Sequence, residues 1–282
     1  MKVVKNISEI QRICLDYKRA GKIIGLVPTM GYLHEGHLSL VREAKKRCDT
    51  VIVSIFVNPI QFGKGEDYDI YPRDLGRDIE LLTEEKADIL FAPSVREMYP
   101  EGYSTFVEVE GEITSKMCGA SRPGHFRGVT TVVSKLFNIC LPDYAFFGQK
   151  DAQQVTIIEK MARELNFPIE IVRVPIVREE DGLAMSSRNV YLAPEERREA
   201  LVLYQSLQHA LKLIKSGERD VPRIKREMEE MIKSRPRAEI DYIEIVRAED
   251  LAYIDKIEGR VLVALAVRIG KTRLIDNLLV EV

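Results

Sequence analysis

The fold is decided by residues 23–41, whose sequence is IIGLVPTMGYLHEGHLSLV. Residues 23–27 form an apolar run with the length and composition of a short buried strand. Pro28, Thr29 and Gly31 interrupt this run and indicate a turn. Apolar side chains then recur at helical spacing, at Leu38, Leu40, Val41 and Ala44. The stretch therefore predicts a buried strand that turns directly into a helix.

Two histidines, His34 and His37, stand at the start of this predicted helix. Their spacing places them in its first turn and on one face. A helix N-terminus presents unpaired N–H groups and a partial positive charge, which suit a phosphate, and Gly36 lets a ligand lie close to the backbone. The pattern favours two imidazoles that donate to a phosphoryl group as charge builds on it. The alternative is that each histidine is a helix cap or a surface residue.

Composition argues against several classes of protein. A chain of 282 residues with 45% hydrophobic residues suffices for one large domain or two smaller ones. Its 42 basic and 44 acidic residues nearly cancel, and a net charge of −2 argues against a nucleic-acid partner. No apolar run approaches membrane-spanning length, and the N-terminus lacks the apolar segment of a signal peptide. We expect neither a nucleic-acid nor a membrane partner.

The four cysteines, Cys14, Cys48, Cys118 and Cys140, are scattered along the chain without a C-x-x-C pair. This spacing argues against a zinc site or a redox motif. A reducing, cytoplasmic location with buried or inert thiols is the expectation.

Strand-like and helix-like segments alternate through the first two-thirds of the chain. Strands are predicted at 23–27, 51–57, 89–92, 144–147 and 169–174, and amphipathic helices at 36–47, 73–86, 128–140 and 151–165. This alternation predicts an α/β domain with a parallel sheet wrapped by helices. Such sheets bind ligands beyond the carboxyl ends of their strands, which is where His34, Asn58 and Gly148 fall.

The pattern changes after about Val177. Two long charged helical patterns are followed by strand-like segments, with helices at 194–215 and 220–234 and strands at 240–246, 260–269 and 272–280. This order predicts a smaller α+β domain with an antiparallel sheet. We place the boundary near residue 175, which gives a domain of residues 1–175 and a second domain of residues 176–282.

One segment of this second region imitates a phosphate-binding loop. Gly270-Lys271-Thr272 resembles the end of a P-loop, but Leu265 stands where that motif requires glycine. The segment also lies between two strand patterns instead of before a helix, so it does not indicate a P-loop. No G-x-G-x-x-G fingerprint follows a strand either, and a nicotinamide or flavin cofactor has no support.

Polar residues follow the second strand in the segment Asn58-Pro59-Ile60-Gln61. Asn58 and Gln61 are neutral amides that can hold a hydroxyl and a carboxylate in an otherwise apolar pocket. An ordinary Asn-Pro turn is the alternative interpretation.

A second polar segment follows the strand at 144–147. Lys150 can neutralise a phosphate, Gly148 permits close approach, and Gln154 is expected to face inward one turn later. The alternative is a strand-to-helix turn with a solvated lysine and an N-capping Asp151.

Two further segments carry cationic side chains. The hydroxyl-rich stretch at 181–189 ends in Arg188 and Asn189 and can close over a triphosphate; a polar interdomain loop is the alternative. The stretch at 123–128 contains His125 and Arg127, and it is interpreted as another anion contact or as a mobile lid.

Together these segments resemble the pantothenate synthetase family, whose members are pantoate–β-alanine ligases. The resemblance spans essentially the whole chain and is carried by four ordered motifs: PTMGYLHEGH at 28–37, FVNPIQF at 56–62, FGQKD at 147–151 and MSSRN at 185–189. The first resembles the HIGH motif of the nucleotidylyltransferase superfamily, and the last resembles the KMSKS counterpart of class I aminoacyl-tRNA synthetases.

The resemblance implies a two-step reaction on a Rossmann-like domain. Pantoate attacks the α-phosphorus of ATP to give pantoyl adenylate and pyrophosphate, and the amine of β-alanine then displaces AMP to give pantothenate. Activation of a carboxylate in this way needs charge stabilisation and positioning more than an acid–base pair. The resemblance also implies the cofactor Mg²⁺ and a homodimer.

Residue roles follow by position in the motifs. His37 is the implied proton donor, His34 contacts the phosphates with it, and Lys150 and Arg188 stabilise charge on the transferred group. Gln61 and Gln154 hold pantoate in a pocket that Asn58 also lines. The implied ATP-binding residues are Met30, Gly31, Tyr32, Leu33, His34, Glu35, Gly36, His37, Gly148, Gln149, Lys150, Asp151, Val177, Met185, Ser186, Ser187 and Arg188.

The implied metal ligand is an acidic residue after the Tyr71-Pro72-Arg73 stretch, and Asp78 is our choice. The neighbouring Arg77 departs from the family pattern, and an exposed helical aspartate is the competing interpretation.

Two other functions stay open at this point. A different adenylyl- or cytidylyltransferase on the same scaffold shares the phosphate-handling histidines but not the pair Gln61 and Gln154. A nucleotide-sensing module keeps the fold without turnover, although it has no need for both Lys150 and Arg188.

Overall fold

The computed structural model describes all 282 residues, which divide into two units. The first unit contains Met1–Glu110, Arg122–Gly148 and Ile157–Pro175, and the second contains Gly111–Ser121, Gln149–Thr156 and Ile176–Val282. The sequence predicted a single division at 175/176, with the two internal segments in the first domain. These segments belong with the second unit because their side chains and backbone bond its residues, as described below for Gln153 and Asn277.

A six-stranded sheet organises the first unit. Its strands are β1 (Lys2–Val4), β2 (Ile24–Thr29), β3 (Thr50–Ile55), β4 (Ile89–Phe91), β5 (Tyr144–Gly148) and β6 (Glu170–Val174), in the order β1-β4-β3-β2-β5-β6. Every neighbouring pair is parallel, which confirms the predicted fold class. From β2 the chain progresses outward through β3 to β4, and from β5 it progresses outward on the other side to β6, so the carboxyl ends of β2 and β5 flank the topological switch point.

Eleven α-helices accompany the strands. They are α1 (Ile7–Arg19), α2 (Glu35–Arg47), α3 (Leu75–Glu84), α4 (Val95–Met98), α5 (Glu112–Ser115), α6 (Cys118–Ser121), α7 (His125–Cys140), α8 (Ala152–Glu164), α9 (Pro194–Glu199), α10 (Leu201–Lys215) and α11 (Val221–Lys233). Three single turns of 3-10 helix, Pro59–Gln61, Gln149–Asp151 and Ser187–Tyr191, contain residues that the sequence analysis singled out.

Strand β2 runs through Pro28, where the sequence predicted a break. Proline has no backbone N–H to donate to a neighbouring strand, so it is disfavoured in a strand that is paired along both edges. Here β5 pairs with β2 only at Gly25 and Leu26, and Pro28 pairs with β3 alone, opposite Ser54. The strand therefore tolerates Pro28 because one of its edges is already unpaired at that point.

The second unit contains a three-stranded antiparallel sheet, β7 (Ala238–Arg247), β8 (Arg260–Ile269) and β9 (Thr272–Glu281), in that order. Helices α10 and α11 cover one face, where apolar side chains of both helices and all three strands form a core. The segment 270–271 is the hairpin turn between β8 and β9, and Gly270 has a φ of 58° there. The segment that resembles the end of a P-loop is thus a turn between two strands.

The thiols are protected within the fold. Burial raises the pKa of Cys14 to about 12 and that of the half-buried Cys48 to about 11, and both stay protonated near neutral pH. Cys118 and Cys140 are also buried. None of the helices combines the length and the apolar character that crossing a bilayer requires.

Candidate active site

The loop after β2 makes a sharp turn before it enters α2. Gly31 and Tyr32 both adopt positive φ values, 82° and 50°. A Cβ atom on residue 31 lies 2.9 Å from Ile55 Cγ2 and 3.1 Å from Asp78 Oδ2. Position 31 therefore requires glycine both for its conformation and for the space beside it.

The two histidines of this loop cap helix α2. His34 Nδ1 accepts the backbone N–H of Gly36 at 3.1 Å, and His37 Nδ1 accepts the backbone N–H of His34 at 3.3 Å. The ring centroids lie 4.0 Å apart. A neutral imidazole carries its proton on the nitrogen that does not accept, so the proton of each neutral ring lies on Nε2.

The position of His34 differs slightly from the one predicted from the sequence. It is the N-cap residue, one position before α2, and only His37 lies within the first turn. The cap was the alternative interpretation of this histidine. The cap uses only Nδ1 of His34. A role of Nε2 in donating to a phosphoryl group is therefore compatible with the cap.

Two residues at the start of α3 hold the same loop from the other side. Asp78 Oδ2 and Oδ1 accept the backbone N–H groups of Tyr32 and Leu33, each at 2.8 Å. Arg77 donates to the Leu33 carbonyl at 2.9 Å, and its guanidinium lies 5.2 Å from the centre of the Tyr32 ring. The strained turn is thus fixed through three backbone hydrogen bonds and a cation–π contact.

Asp78 does not fit the role of Mg²⁺ ligand that the resemblance implied. Mg²⁺ keeps several waters and binds one or two carboxylates together with substrate phosphates. The Asp78 side chain is 1% exposed, both of its oxygens accept backbone N–H groups, and burial raises its pKa. No group of three histidine, cysteine, aspartate or glutamate side chains in the chain is arranged to hold a metal. We therefore assign Asp78 to the loop and assign no Mg²⁺ ligand.

Gln61 lies beyond the carboxyl end of β3 and is held by its neighbours. Asn58 Nδ2 donates to Gln61 Oε1 at 3.0 Å and to the Gly128 carbonyl at 3.1 Å, while Asn58 Oδ1 accepts the Tyr99 hydroxyl at 2.8 Å. The Gln61 amide donates to Met30 Sδ at 3.3 Å. Asn58 is buried with its amide fully bonded inside the chain, so its side chain orients Gln61.

His125 and Arg122 fix the backbone of Gln61. The His125 ring bonds the Gln61 carbonyl through Nδ1 at 2.9 Å and Arg122 through Nε2 at 3.0 Å. Arg122 also pairs with Glu66 at 2.6 Å. Burial raises the pKa of the Glu66 carboxyl, but the hydrogen bond and the positive charge of Arg122 lower it. The net effect is a pKa below the usual value. The stretch predicted as an anion contact or a lid thus places His125 against the Gln61 backbone, and both predicted roles stay predictions.

In the second unit, the turn Gln149–Asp151 carries Lys150. Asn277 Nδ2 donates to the carbonyls of Gln149 and Lys150, each at 2.9 Å, and Asn277 Oδ1 accepts the Gln149 amide at 3.1 Å. Lys150 Nζ lies 3.6 Å from Asp151 Oδ2. Both the oxygen and the NH₂ group of the Asn277 amide therefore bond this turn.

Gln153 and Gln154 have different roles although they are adjacent. Gln153 is buried, accepts the Cys118 N–H at 2.9 Å, and donates to the carbonyls of Ile113 and Lys116 at 2.9 and 2.8 Å. Gln154 is half-buried, and its amide is not part of that network. The network that fixes Gln153 therefore leaves out Gln154, whose role in binding a substrate stays a prediction.

The loop with Arg188 is anchored at its base. Arg178 makes a bidentate pair with the buried Asp276, at 2.6 and 2.9 Å, and donates to the Gly182 carbonyl at 3.0 Å. The Met185 N–H donates to the Val177 carbonyl at 3.0 Å. This bond brings Val177, the implied adenine-side residue, next to the segment Met185–Arg188.

The predicted site residues thus form two groups. The first unit holds Met30, Gly31, Tyr32, Leu33, His34, Glu35, Gly36, His37, Asn58, Gln61, Asp78 and Gly148, and the second holds Gln149, Lys150, Asp151, Gln154, Val177, Met185, Ser186, Ser187 and Arg188. Sequence reasoning missed the supporting residues Arg77, Tyr99, Arg122, Arg178, Asp276 and Asn277. One signal was visible, because Asp276 and Asn277 interrupt an otherwise apolar strand pattern.

Known proteins match this chain over essentially its whole length. The family model for pantoate-beta-alanine ligase matches residues 2–279. Pantothenate synthetases of Syntrophomonas wolfei and Carboxydothermus hydrogenoformans are 67% and 61% identical over 282 residues, the full length of both chains in each case.

Solved structures give the same result. A pantothenate synthetase of Thermus thermophilus is 48% identical, with a TM-score of 0.92 and 99% of each chain covered. A pantoate-beta-alanine ligase of Francisella tularensis, complexed with beta-gamma ATP and beta-alanine, is 36% identical, with a TM-score of 0.81 over 99% of this chain and 97% of the other. The chain therefore belongs to the pantoate–β-alanine ligase family.

Proposed function

We propose that the chain joins pantoate to β-alanine in two steps through pantoyl adenylate. A carboxylate oxygen of pantoate attacks the α-phosphorus of ATP, and pyrophosphate leaves with the electrons of the broken P–O bond. The amine of β-alanine then attacks the acyl carbon, loses a proton and displaces AMP. Family membership supports the overall ligation, and the histidine pair at the N-terminus of α2 carries the proposal for the first step.

The two histidines supply the donors of the first step. Their Nδ1 atoms accept backbone N–H groups, so each Nε2–H is oriented before ATP arrives. Donors that are fixed in advance stabilise developing phosphoryl charge without reorganisation. The positive end of the α2 dipole favours the same charge.

Pantoate recognition is proposed for Gln61 and Gln154. An amide that is fixed in a partly buried pocket discriminates by hydrogen bonds, because an analogue without the matching group leaves the amide unpaired. The buried network of Asn58, Tyr99 and His125 holds Gln61 in place for this purpose. We propose that Asn58 supports the pocket through Gln61.

Lys150 and Arg188 are proposed to stabilise charge on the transferred group. Each lies on a turn of 3-10 helix, and each of these turns is anchored by hydrogen bonds. Ser186 Oγ accepts the Arg188 N–H at 3.2 Å. The implied need for Mg²⁺, the homodimer and the cytoplasmic location stay predictions.

The family assignment favours this reaction over the two alternatives. A different nucleotidylyltransferase does not need Gln61 and Gln154, and the matching family is defined by pantoate ligation. A binding module without turnover does not need both Lys150 and Arg188.

A pyrophosphate-release assay tests the two-step route. With ATP and pantoate alone, we expect release that stops at about one equivalent per enzyme, since the adenylate stays bound. Addition of β-alanine should convert this burst to continuous turnover with stoichiometric AMP. Pyrophosphate release that does not depend on pantoate, or formation of ADP and phosphate, contradicts the proposal.

Substitution of the glutamines tests the pantoate pocket. Gln61→Ala or Gln154→Ala should raise the KM for pantoate by about 10- to 100-fold, the range for loss of a buried hydrogen bond at 1.5–3 kcal/mol. ATP affinity by calorimetry should stay within a few-fold. Gln205→Ala, at an exposed position of α10, is the matched control. Loss of ATP binding with an unchanged KM for pantoate contradicts the assignment.

A further inference from the structure

Two adjacent polar residues lie buried in the middle of strand β9. Asp276 and Asn277 are 2% and 3% exposed, although the strand around them is mainly apolar. Burial of polar groups is costly unless their hydrogen bonds are satisfied. The Asn277 N–H donates to Asp276 Oδ1 at 2.7 Å, and the other partners of the two side chains lie outside the sheet, on the turn of Lys150 and at Arg178.

Asn277 is committed entirely to the turn of Lys150. Its amide makes three hydrogen bonds, one to the Gln149 side chain and one to each of the carbonyls of Gln149 and Lys150. Two carbonyls that point at one amide fix the path of the backbone across these residues. The Lys150 Cα therefore has a defined position relative to β9.

Asp276 is committed to the base of the Arg188 loop. Its carboxylate binds Arg178 through two nitrogens, and Arg178 donates in turn to the Gly182 carbonyl. The Arg178 guanidinium also lies 4.4 Å from the centre of the Tyr204 ring, on α10. The loop thus begins from a fixed point, because Arg178 is held on three sides.

The two anchors act on opposite faces of the sheet. Alternate residues of a strand point to opposite faces, and Asp276 and Asn277 pair with Leu265 and Ala264 of β8. Leu265 belongs to the core beneath α10 and α11, and Ala264 belongs to the cluster on the other face. One dipeptide therefore holds one cationic segment on each face of the same sheet.

We propose that Asp276 and Asn277 are positioning residues of the ligase, with Asn277 setting the place of Lys150 and Asp276, through Arg178, setting the base of the loop that carries Arg188. The inference rests on the proposed roles of Lys150 and Arg188. A purely structural network is the alternative, in which the buried polar pair contributes to stability alone.

A double-mutant cycle between Asn277 and Lys150 separates these interpretations. Asn277→Ala should lower the rate of adenylation by about 10- to 100-fold, the cost of a small misplacement of a catalytic group. The KM for β-alanine should stay within about threefold, because β-alanine reacts only in the second step. In the Lys150→Ala background, the same substitution should change the rate by less than about threefold, since positions that act through one another are not additive.

A second cycle tests Asp276. Asp276→Asn should lower the adenylation rate. In the Arg188→Ala background, the same substitution should have little further effect. Asn138→Ala is the matched control, because Asn138 is exposed and its amide bonds only its own helix. Its rate should equal that of the unmodified enzyme.

The outcomes are distinct. Additive effects in both cycles, with the full loss retained in the Lys150→Ala and Arg188→Ala backgrounds, overturn the inference. If Lys150→Ala and Arg188→Ala leave adenylation unchanged, the proposed roles of these cations fail and the inference fails with them, although ligase activity persists. If Asn277→Ala does not fold by circular dichroism, Asn277→Ser, which keeps one donor, takes its place, and an intermediate loss that vanishes in the Lys150→Ala background supports the inference.

Discussion

His37 is the residue that connects local structure most directly to the proposed chemistry. Its Nδ1 closes the cap of α2, and its Nε2–H is the donor proposed for the phosphoryl group. His37→Ala should lower the single-turnover rate of adenylate formation by about 100- to 1,000-fold, the cost of removing one fixed donor. The measurement is rapid-quench analysis with ATP and pantoate.

The matched control is His209→Ala. His209 lies on α10 and pairs with Glu227 at 2.8 Å, away from any residue assigned to the site. Its adenylation rate should equal that of the unmodified enzyme. A normal rate in the His37→Ala variant would rule out His37 as the donor.

Asp78 gives a prediction that separates loop support from metal binding. In Asp78→Asn, one of the buried N–H groups of Tyr32 and Leu33 faces an NH₂ group, and an unsatisfied buried donor costs about 1–3 kcal/mol. We expect a lower free energy of unfolding and a lower rate, with an unchanged half-saturating concentration of Mg²⁺. Urea unfolding and Mg²⁺ titration of the activity measure both effects.

Asp74→Asn is the control for this variant. Asp74 caps α3 by accepting the Arg77 N–H at 3.0 Å, and asparagine caps as well as aspartate does. Its stability and rate should change little. A raised Mg²⁺ requirement in Asp78→Asn without loss of stability would restore Asp78 as a metal ligand.

At this scale, the sequence predicts what depends on near neighbours. His34 and His37 could be placed because a strand, a turn and a helix follow one another within 20 residues. The role of Asp78 could not, because it depends on a carboxylate that meets a backbone 45 and 46 positions earlier in the chain. The tautomer of the histidines also needed the structure, since only the partner of Nδ1 defines it.

Helix α7 offers a test at the scale of elements. Gly128 faces the turn that carries Gln61, and a Cβ atom at this position lies 2.5 Å from the Ile60 carbonyl oxygen and 2.7 Å from the Gln61 nitrogen. Alanine normally stabilises a helix interior by about 1 kcal/mol relative to glycine. Here overpacking costs about 1–3 kcal/mol, so Gly128→Ala should lower stability or leave it unchanged, and it should raise the KM for pantoate.

Gly76→Ala is the control within α3. Its added Cβ meets only Asp74 Oδ1 at 3.7 Å, an ordinary contact, and stability should rise. Thermal unfolding and pantoate kinetics of both variants are the measurements. A Gly128→Ala enzyme that is more stable and has an unchanged KM contradicts the proposed support of Gln61 by α7.

Element predictions succeeded where patterns were long and apolar. The central strands and the three strands of the second sheet match their predicted segments within a few residues, because period-two and continuous apolar runs are distinctive. Strand β1 and helix α1 were missed. The three residues of β1 carry too short a pattern, and only Ile10 and Cys14 of α1 are buried, which leaves the apolar stripe of that helix narrow.

At the scale of the whole molecule, strand β8 contains an apolar run that bears on the expected homodimer. The run Val261–Val267 is strongly apolar, and the sequence suggested that a partner subunit covers part of it. In the structure every residue of this run is at most 3% exposed within one chain, beneath α10 and α11 on one face and a smaller cluster on the other. This run therefore gives no support to a dimer, and the family resemblance carries that expectation.

A segment of the first unit without regular secondary structure offers a different place for a second copy. Residues 104–110 lie along α7, and their backbone is bonded only at Val107, to the hydroxyls of Thr130 and Thr131. The backbone N–H and C=O groups of Phe106 and Glu108 make no hydrogen bond within the chain. Unpaired backbone groups of this kind are a template for pairing with another strand.

We predict a homodimer that pairs through this segment, since a two-fold arrangement of identical edges is the commonest closed assembly. Light scattering across a dilution series should give twice the chain mass of 32.2 kDa at micromolar concentration. Glu108→Pro removes one N–H that is unpaired within the chain and should shift the mass to that of one chain, whereas Glu108→Ala keeps that N–H and should stay dimeric. A monomer mass for the unmodified protein at micromolar concentration rules out the dimer. A dimer that Glu108→Pro leaves intact places the interface elsewhere, and neither result alters the assignment of the site.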